Sequence, residues 1–255
     1  MSKVIVFVHG AGSAKKEFYK ETLAGLTELL GAKPNAVGVW YADLLNDGET
    51  KGKKGASLDG SEVENFKAAF SMLVHGDFNS LPHHERHNAA FIMPAQFLAE
   101  MIAMDLQQFA DYLFASKTYN AIQTRMRDGL NKAIAMGDEL VIAGHSLGSV
   151  VAFDCLRETA GNCNISTFFT LGSPLSKLRR LNIRTNDLGA IPGNLGEWLN
   201  LYDTTDPIAN ALGPMFPSRS FRLRDVFVDV ETDPIRSHDY FHNEQTLAEL
   251  AAAML

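Results

Sequence analysis

Residues 139–149 read Glu-Leu-Val-Ile-Ala-Gly-His-Ser-Leu-Gly-Ser, and they are the strongest indication of the fold. Its first half is a short apolar run, typical of a buried strand in a parallel sheet. An apolar helical pattern follows it, formed by Val150, Val151, Phe153 and Leu156. Glycines stand two residues before and two residues after Ser146, and they let a strand and a helix approach closely. The stretch therefore predicts a sharp strand-to-helix turn with Ser146 at its apex.

The rest of the chain repeats this alternation of strand and helix. Apolar runs predict strands over 4–8, 36–41, 139–143, 165–171, 198–202 and 226–230. Helical patterns are found over 15–30, 149–158 and 240–255. Alternating strands and helices predict an α/β fold, in which helices flank a mostly parallel sheet of about six strands.

One segment, residues 43–117, contains no predicted strand. It opens with a polar stretch, and helical patterns follow over 61–74 and 94–116. The second pattern carries an apolar face made of Leu98, Met101, Ile102, Leu106, Phe109 and Leu113. This face is either core packing between helices or the lining of an acyl pocket under a cap. We therefore predict a single domain over 1–255 with a helical insertion, or cap, over 43–117.

The composition of the chain argues against several classes of partner and location. The 255 residues are 46% hydrophobic and carry a net charge of −7, which argues against nucleic acid or an anionic membrane surface as partner. No apolar stretch has the length of a membrane span or a signal peptide. We expect two reduced thiols at Cys155 and Cys163, and a cytoplasmic location. The sequence leaves the oligomeric state open.

The turn at Ser146 also carries a chemical signal. Gly144-His145-Ser146-Leu147-Gly148 fits the pattern Gly-x-Ser-x-Gly, which is informative when it joins a strand to a helix. The alternative is an ordinary turn whose serine caps the helix. A serine hydroxyl is a weak nucleophile, so catalysis would need a histidine base and a carboxylate that orients it. The carboxylate candidates are Asp203 and Asp206, and the histidine candidates are His238 and His242.

Five motifs together resemble the α/β-hydrolase superfamily, in particular its esterases and lipases. They are His9-Gly10-Ala11-Gly12, residues 144–148, Leu171-Gly172-Ser173-Pro174, residues 203–208, and Ser237-His238-Asp239-Tyr240. The resemblance covers nearly the whole chain except the insertion. By this resemblance, the first strand of the chain corresponds to the third strand of the family. We therefore expect the chain to lack the two opening strands of the full fold.

The resemblance implies a role for each matching residue. The family's chain order is serine, acid, histidine. It implies Ser146 as nucleophile, Asp206 as acid and His238 as base, with Asp203 and His242 as the less favoured alternatives. The backbone N–H groups of Ala11 and Leu147 would form the oxyanion hole.

The implied function is a serine hydrolase that cleaves carboxylic esters, with a small ester or lipid-like acyl substrate, through an acyl-enzyme. It needs no metal and no organic cofactor. A thioesterase, an amidase or an acyltransferase would use the same triad, and a non-catalytic binding protein could share the fold. Phosphate binding by residues 10–12 is the rival interpretation, but the turn fits neither nucleotide-binding pattern. His83 and His87 have a metal-ligand spacing, but without His-Glu-x-x-His they indicate a solvated loop.

Overall fold

The computed structural model describes residues 2–45, 60–80, 106–158, 163–183, 195–216, 222–231 and 236–255. Six strands form one sheet: β1 Lys3–Val8, β2 Asn35–Val39, β3 Glu139–His145, β4 Ile165–Leu171, β5 Leu195–Tyr202 and β6 Leu223–Phe227. Their order is β2-β1-β3-β4-β5-β6, and all five pairings are parallel. The predicted α/β class, a parallel sheet of six strands flanked by helices, is confirmed.

The helices of the described residues lie before, between and after these strands. They are α1 Lys20–Leu30, α2 Ala42–Leu45, α3 Gly60–Ser80, α4 over 106–114, α5 Ser116–Ile134, α6 Leu147–Glu158, α7 Leu175–Arg180 and α8 Glu244–Met254. The last helix begins four residues later than predicted. Asn243 caps it, because its side chain accepts the Thr246 N–H at 2.9 Å. His242 therefore lies in a short 3₁₀ turn before the helix.

The sixth strand is also displaced from its predicted position, three residues toward the N-terminus. The prediction followed the alternating valines of residues 226–230, whereas pairing with β5 runs from Trp198–Leu223 to Tyr202–Phe227. An edge strand tolerates polar residues, so polarity at residues 224 and 225 does not prevent pairing. Asp225 accepts the Asn200 side-chain N–H at 2.7 Å, which joins this strand to its neighbour.

The two faces of the sheet are covered by different helices. Strand alternation sends Val4, Val6 and Val8 to the face covered by α5 and α6, and Ile5 and Phe7 to the face covered by α1 and α8. Burying each such side chain contributes about 1.5–3 kcal/mol. The sheet is therefore a rigid scaffold for the loops at the carboxyl ends of its strands.

The strand order reverses at β1, because β2 lies on one side of it and β3 on the other. In open α/β sheets, ligands bind outside the carboxyl ends of the strands at such a reversal. The turns that follow β1 and β3, residues 9–12 and 145–147, lie at this point.

The chain between β2 and β3 holds α2 to α5, and no strand occurs among its described residues. Part of the apolar face predicted there is described. Leu106 and Phe109 are buried, and the Phe109 ring lies 6.0 Å from that of Phe70 in α3. This part of the face is core packing between helices. Leu98, Met101 and Ile102 lie outside the described residues, so an insertion over 43–117 that caps a pocket stays a prediction.

Candidate active site

Ser146 occupies a strained turn between β3 and α6. Its φ is 50°, a left-handed conformation that a residue with a side chain seldom adopts. Its N–H donates to the Leu171 carbonyl at 2.9 Å, and its own carbonyl accepts the Ser149 hydroxyl at 2.6 Å. These bonds hold the turn in place. The serine side chain is nearly buried at the carboxyl edge of the sheet.

Close packing around the turn accounts for both of its glycines. A Cβ on Gly144 would lie 2.7 Å from the Ser149 Cα, and one on Gly148 would overlap the backbone of His9. Real Cβ atoms do not come so close to backbone atoms, so a larger residue at either position would force α6 away from the sheet.

Asp206 and His238 are joined by a direct hydrogen bond. The His238 Nδ1 donates to Asp206 Oδ2 at 2.8 Å, and the carboxylate is fully buried. Its other oxygen accepts the Ile208 N–H at 2.8 Å. Burial alone would raise the pKa of Asp206. The His238 charge and the hydrogen bonds outweigh burial and lower that pKa below its usual value. Asp206 is therefore an ionised carboxylate aimed at an imidazole.

The His238 ring lies beside the turn that holds Ser146. A Cβ on Gly172 would be 3.0 Å from His238 Cε1, and Gly172 follows Leu171, whose carbonyl accepts the Ser146 N–H. The ring is also centred 4.7 Å from the ring of His145, the residue before the serine. The structure thus brings all three residues of the predicted triad to one edge of the sheet.

The alternative acid and base are engaged elsewhere. The Asp203 carboxylate accepts the N–H groups of Thr205 and Val230, both at 2.7 Å, and so fixes its own loop. The His242 side chain is half exposed and pairs with Asp239 at 2.7 Å and Glu21 at 3.1 Å. Of the four candidates, Asp206 and His238 are the two that the structure pairs.

The turn after β1 packs against the serine. A Cβ on Gly10 would lie 2.8 Å from the Ser146 Cβ, and Gly12 has a φ of 101°. Ala11 stands between these glycines. Leu147 is the first residue of α6, so no intrahelical acceptor exists for its N–H. Both predicted oxyanion donors therefore lie next to the serine in space or in sequence.

His9 fixes the turn after β1, a role that the sequence did not reveal. Its Nδ1–H donates to the Gly10 carbonyl at 2.5 Å, and its Nε2 accepts the Tyr41 N–H at 2.9 Å. Burial lowers its pKa to about 4, so the ring is neutral and can accept at one nitrogen while donating at the other.

His145 and Tyr240 support the predicted acid and base. The His145 Nε2–H donates to the His238 carbonyl at 2.7 Å, and burial, followed by the His238 charge, lowers the pKa of His145 to about 3. The Tyr240 hydroxyl donates to Asp206 Oδ2 at 2.9 Å and accepts the Asp203 N–H at 2.8 Å. Both residues stand inside motifs on which the resemblance rests, but a motif does not say what its variable residues touch.

Gln108 reaches the turn after β1 from helix α4. Its Oε1 accepts the Gly12 N–H at 2.6 Å. No sequence pattern indicates this contact, because the two residues are 96 positions apart. The chain between β2 and β3 thus touches the turn that carries a predicted oxyanion donor.

The described residues also bear on other classes of site. Within the described ranges, no group of three or more His, Cys, Asp or Glu side chains is arranged to hold a metal ion. His83 and His87 lie outside the described residues. None of the described helices is long and apolar enough for a membrane crossing. Cys155 and Cys163 form no disulfide, and burial raises the pKa of Cys155 to about 12.

Comparison with known proteins adds little to this geometry. No protein-family model and no curated protein sequence matches the chain. The solved structure of a YdeN-like hydrolase from Pectobacterium atrosepticum aligns with 99% of this chain and 91% of its own, at 11% sequence identity and a TM-score of 0.46. A likeness this distant assigns no activity. The chemistry of this chain therefore has to be inferred from its own side chains.

Proposed function

We propose that the chain is a serine hydrolase of the α/β-hydrolase type that cleaves carboxylic esters. The observation that carries the proposal is the 2.8 Å bond from the His238 Nδ1 to the buried Asp206 carboxylate, beside the strained turn of Ser146. A buried carboxylate that orients an imidazole next to a nearly buried turn serine is the arrangement that activates a hydroxyl nucleophile.

The first half of the reaction forms an acyl-enzyme. The Ser146 Oγ attacks the ester carbonyl while the His238 Nε2 takes its proton. His238 then gives this proton to the leaving alcohol. Asp206 stays ionised and stabilises the imidazolium, which agrees with its lowered pKa. In the second half, water attacks the acyl group by the same route, and Ser146 regains its proton.

The oxyanion of each tetrahedral intermediate needs hydrogen-bond donors. The N–H groups of Ala11 and Leu147 are our candidates. Leu147 adds the positive end of the α6 dipole, since it is the first residue of that helix. In other enzymes, losing one oxyanion donor costs about 2.7–4 kcal/mol of transition-state stabilisation.

The direct test replaces the nucleophile. We expect Ser146→Ala to abolish turnover of a short p-nitrophenyl ester and labelling by a fluorophosphonate probe. Ser166→Ala is the matched control, because Ser166 lies near the start of β4, at the opposite edge of the sheet, and bonds the Leu140 carbonyl at 3.2 Å. Wild-type turnover in Ser146→Ala, or a wild-type protein that the probe does not label, would refute the proposal.

A substrate panel then defines the acyl transfer. Esters, thioesters and amides with the same acyl chain separate esterase, thioesterase and amidase activity. Added alcohol acceptors would reveal an acyltransferase. We expect the ester of each series to have the highest kcat/KM.

A further inference from the structure

Lys177, on helix α7, is fully buried beside the loop that carries Asp206. Its ammonium group donates to Asp77 Oδ2 at 2.8 Å, to the Asn210 side-chain oxygen at 2.6 Å and to the Ile208 carbonyl at 3.2 Å. The side chain has no exposed surface. A lysine has three donors, and here each donor has an acceptor.

Such burial is costly unless the charge is paired. An ammonium group removed from water loses several kcal/mol of hydration, which an opposite charge and good acceptors must offset. Burial lowers the pKa of Lys177, and Asp77 acts in the opposite direction. Lys177 and Arg180 in turn lower the pKa of Asp77, against burial. The pair is therefore an ammonium and a carboxylate, with Asp77 as the counterion.

Ile208 connects this pair to the proposed acid. Its N–H donates to Asp206 Oδ1 at 2.8 Å, and its carbonyl accepts from Lys177. Both polar backbone groups of one residue are thus fixed, one by the acid and one by the lysine. Asn210, the second loop residue held by Lys177, also accepts the Asn200 side-chain N–H at its carbonyl, at 3.0 Å.

The counterion of Lys177 comes from a distant part of the chain. Asp77 lies in the last turn of α3, within the chain between β2 and β3, whereas Lys177 lies between β4 and β5. The pair is therefore the point where this inserted helix touches the acid loop. The two further bonds of the same ammonium group go to residues 208 and 210, so Lys177 ties the inserted helix and the acid loop together at one point.

We infer that Lys177 is a positioning residue for Asp206, and that Asp77 gives the inserted helix α3 a direct part in aligning the triad. This inference rests on the proposed function. Lys177 does not touch substrate. It holds the loop from which Asp206 faces His238.

Three substitutions and one control test the inference. Lys177→Met removes the ammonium group at similar volume, Asp77→Ala removes the counterion, and Asp77→Asn removes its charge but keeps an acceptor. Arg180→Met is the control, because Arg180 pairs with the same carboxylate at 3.2 Å but is partly exposed. Circular dichroism at 15 °C first establishes that each variant is folded.

Misalignment of the acid should lower kcat and leave KM nearly unchanged, since substrate contacts remain. We expect kcat to fall by about tenfold or more in Lys177→Met and Asp77→Ala, and less in Asp77→Asn. KM should stay within about twofold, and Arg180→Met should match wild type within about twofold. If Lys177→Met does not fold, the two Asp77 variants decide, since Asp77 is partly exposed.

A second measurement does not depend on activity. The His238 Nδ1 proton, bonded to a buried carboxylate, should give a far-downfield proton resonance. We expect this resonance to exchange faster with water in Lys177→Met and in both Asp77 variants than in wild type or Arg180→Met. Folded Lys177→Met or Asp77→Ala with wild-type kcat and wild-type exchange overturns the inference. An equal loss in Arg180→Met also overturns it, because the effect would then belong to helix docking alone.

The two failures are distinguishable. An inactive, unlabelled wild-type protein would refute the proposed function, and the exchange measurement would still report whether Lys177 holds the acid loop. An active wild type with unaffected variants would refute only the role of Lys177.

Discussion

Replacing Tyr240 by phenylalanine tests how firmly the acid is held. The change removes one oxygen, which donates to Asp206 Oδ2 at 2.9 Å and accepts the Asp203 N–H at 2.8 Å. A hydrogen bond to a charged group contributes about 1.5–3 kcal/mol, and a buried N–H left without an acceptor costs about 1–3 kcal/mol. The free energy of unfolding should therefore fall by about 2.5–6 kcal/mol.

The same substitution should slow turnover. If loss of the bond to Asp206 raises the activation free energy of the step that forms the imidazolium by about 1 kcal/mol, kcat falls about fivefold. Urea denaturation gives the free energy of unfolding, and initial rates with a p-nitrophenyl ester give kcat. Tyr119→Phe is the control, because the Tyr119 hydroxyl bonds an exposed Glu158 at 3.1 Å. It should change stability by about 0.5 kcal/mol or less.

One result would refute this reasoning. A Tyr240→Phe variant that loses less than about 1 kcal/mol of stability and keeps wild-type kcat would show that Asp206 does not depend on this hydroxyl. The remaining contacts of the acid, from Ile208 and His238, would then be sufficient to orient it.

Three further predictions follow from buried contacts of the site. Burial lowers the folded-state pKa of His9 to about 4 and of His145 to about 3, so below pH 6.5 the unfolded chain binds protons that the folded chain does not. The free energy of unfolding, measured in urea between pH 8 and 5, should therefore be constant above pH 7. Below pH 6.5 it should fall by about 1.4 kcal/mol per pH unit for each histidine. A flat profile would contradict the burial of both rings. Gly172→Ala should slow fluorophosphonate labelling, because its Cβ would lie 3.0 Å from Cε1 of His238. Gly31→Ala is the control: Gly31 has a similar positive φ, but a Cβ there would have no neighbour within 4 Å, so this variant should label normally. Gln108→Leu should lower kcat by about tenfold, because Gln108 holds the turn after β1. The control Gln107→Leu should leave kcat unchanged. Equal rates in the two variants would show that α4 does not support the site.

Sequence patterns predicted the parts of this molecule that depend on neighbouring residues. The Gly-x-Ser-x-Gly stretch contains its strand, its turn and the start of its helix, so the sharp turn at Ser146 could be predicted from eleven residues of chain. The strands were predicted for the same reason, since burial on both faces leaves an apolar run. Where pairing or capping set a boundary, at β6 and at α8, the prediction was displaced by three or four residues.

Contacts between distant segments could not be predicted. Lys177 lies in a short helix, and no sequence pattern indicates that the folded chain buries its side chain completely. Its burial depends on Asp77, and nothing in either segment indicates that they meet. The same holds for Gln108 and Gly12. The motifs therefore indicated the proposed reacting groups, whereas the residues that hold these groups emerged only from the fold.

The chain between β2 and β3 touches the candidate site at two points. Asp77 pairs with Lys177 beside the acid loop, and Gln108 holds Gly12 in the turn that carries a proposed oxyanion donor. Deleting this chain would leave a buried ammonium group without its counterion, and removing one partner of such a pair costs about 3–5 kcal/mol. It would also free the turn after β1 from its contact with α4. We therefore expect a version of the protein without this segment to lose the alignment of the proposed triad even if the sheet still formed, so that the segment would act in the proposed reaction through these two contacts.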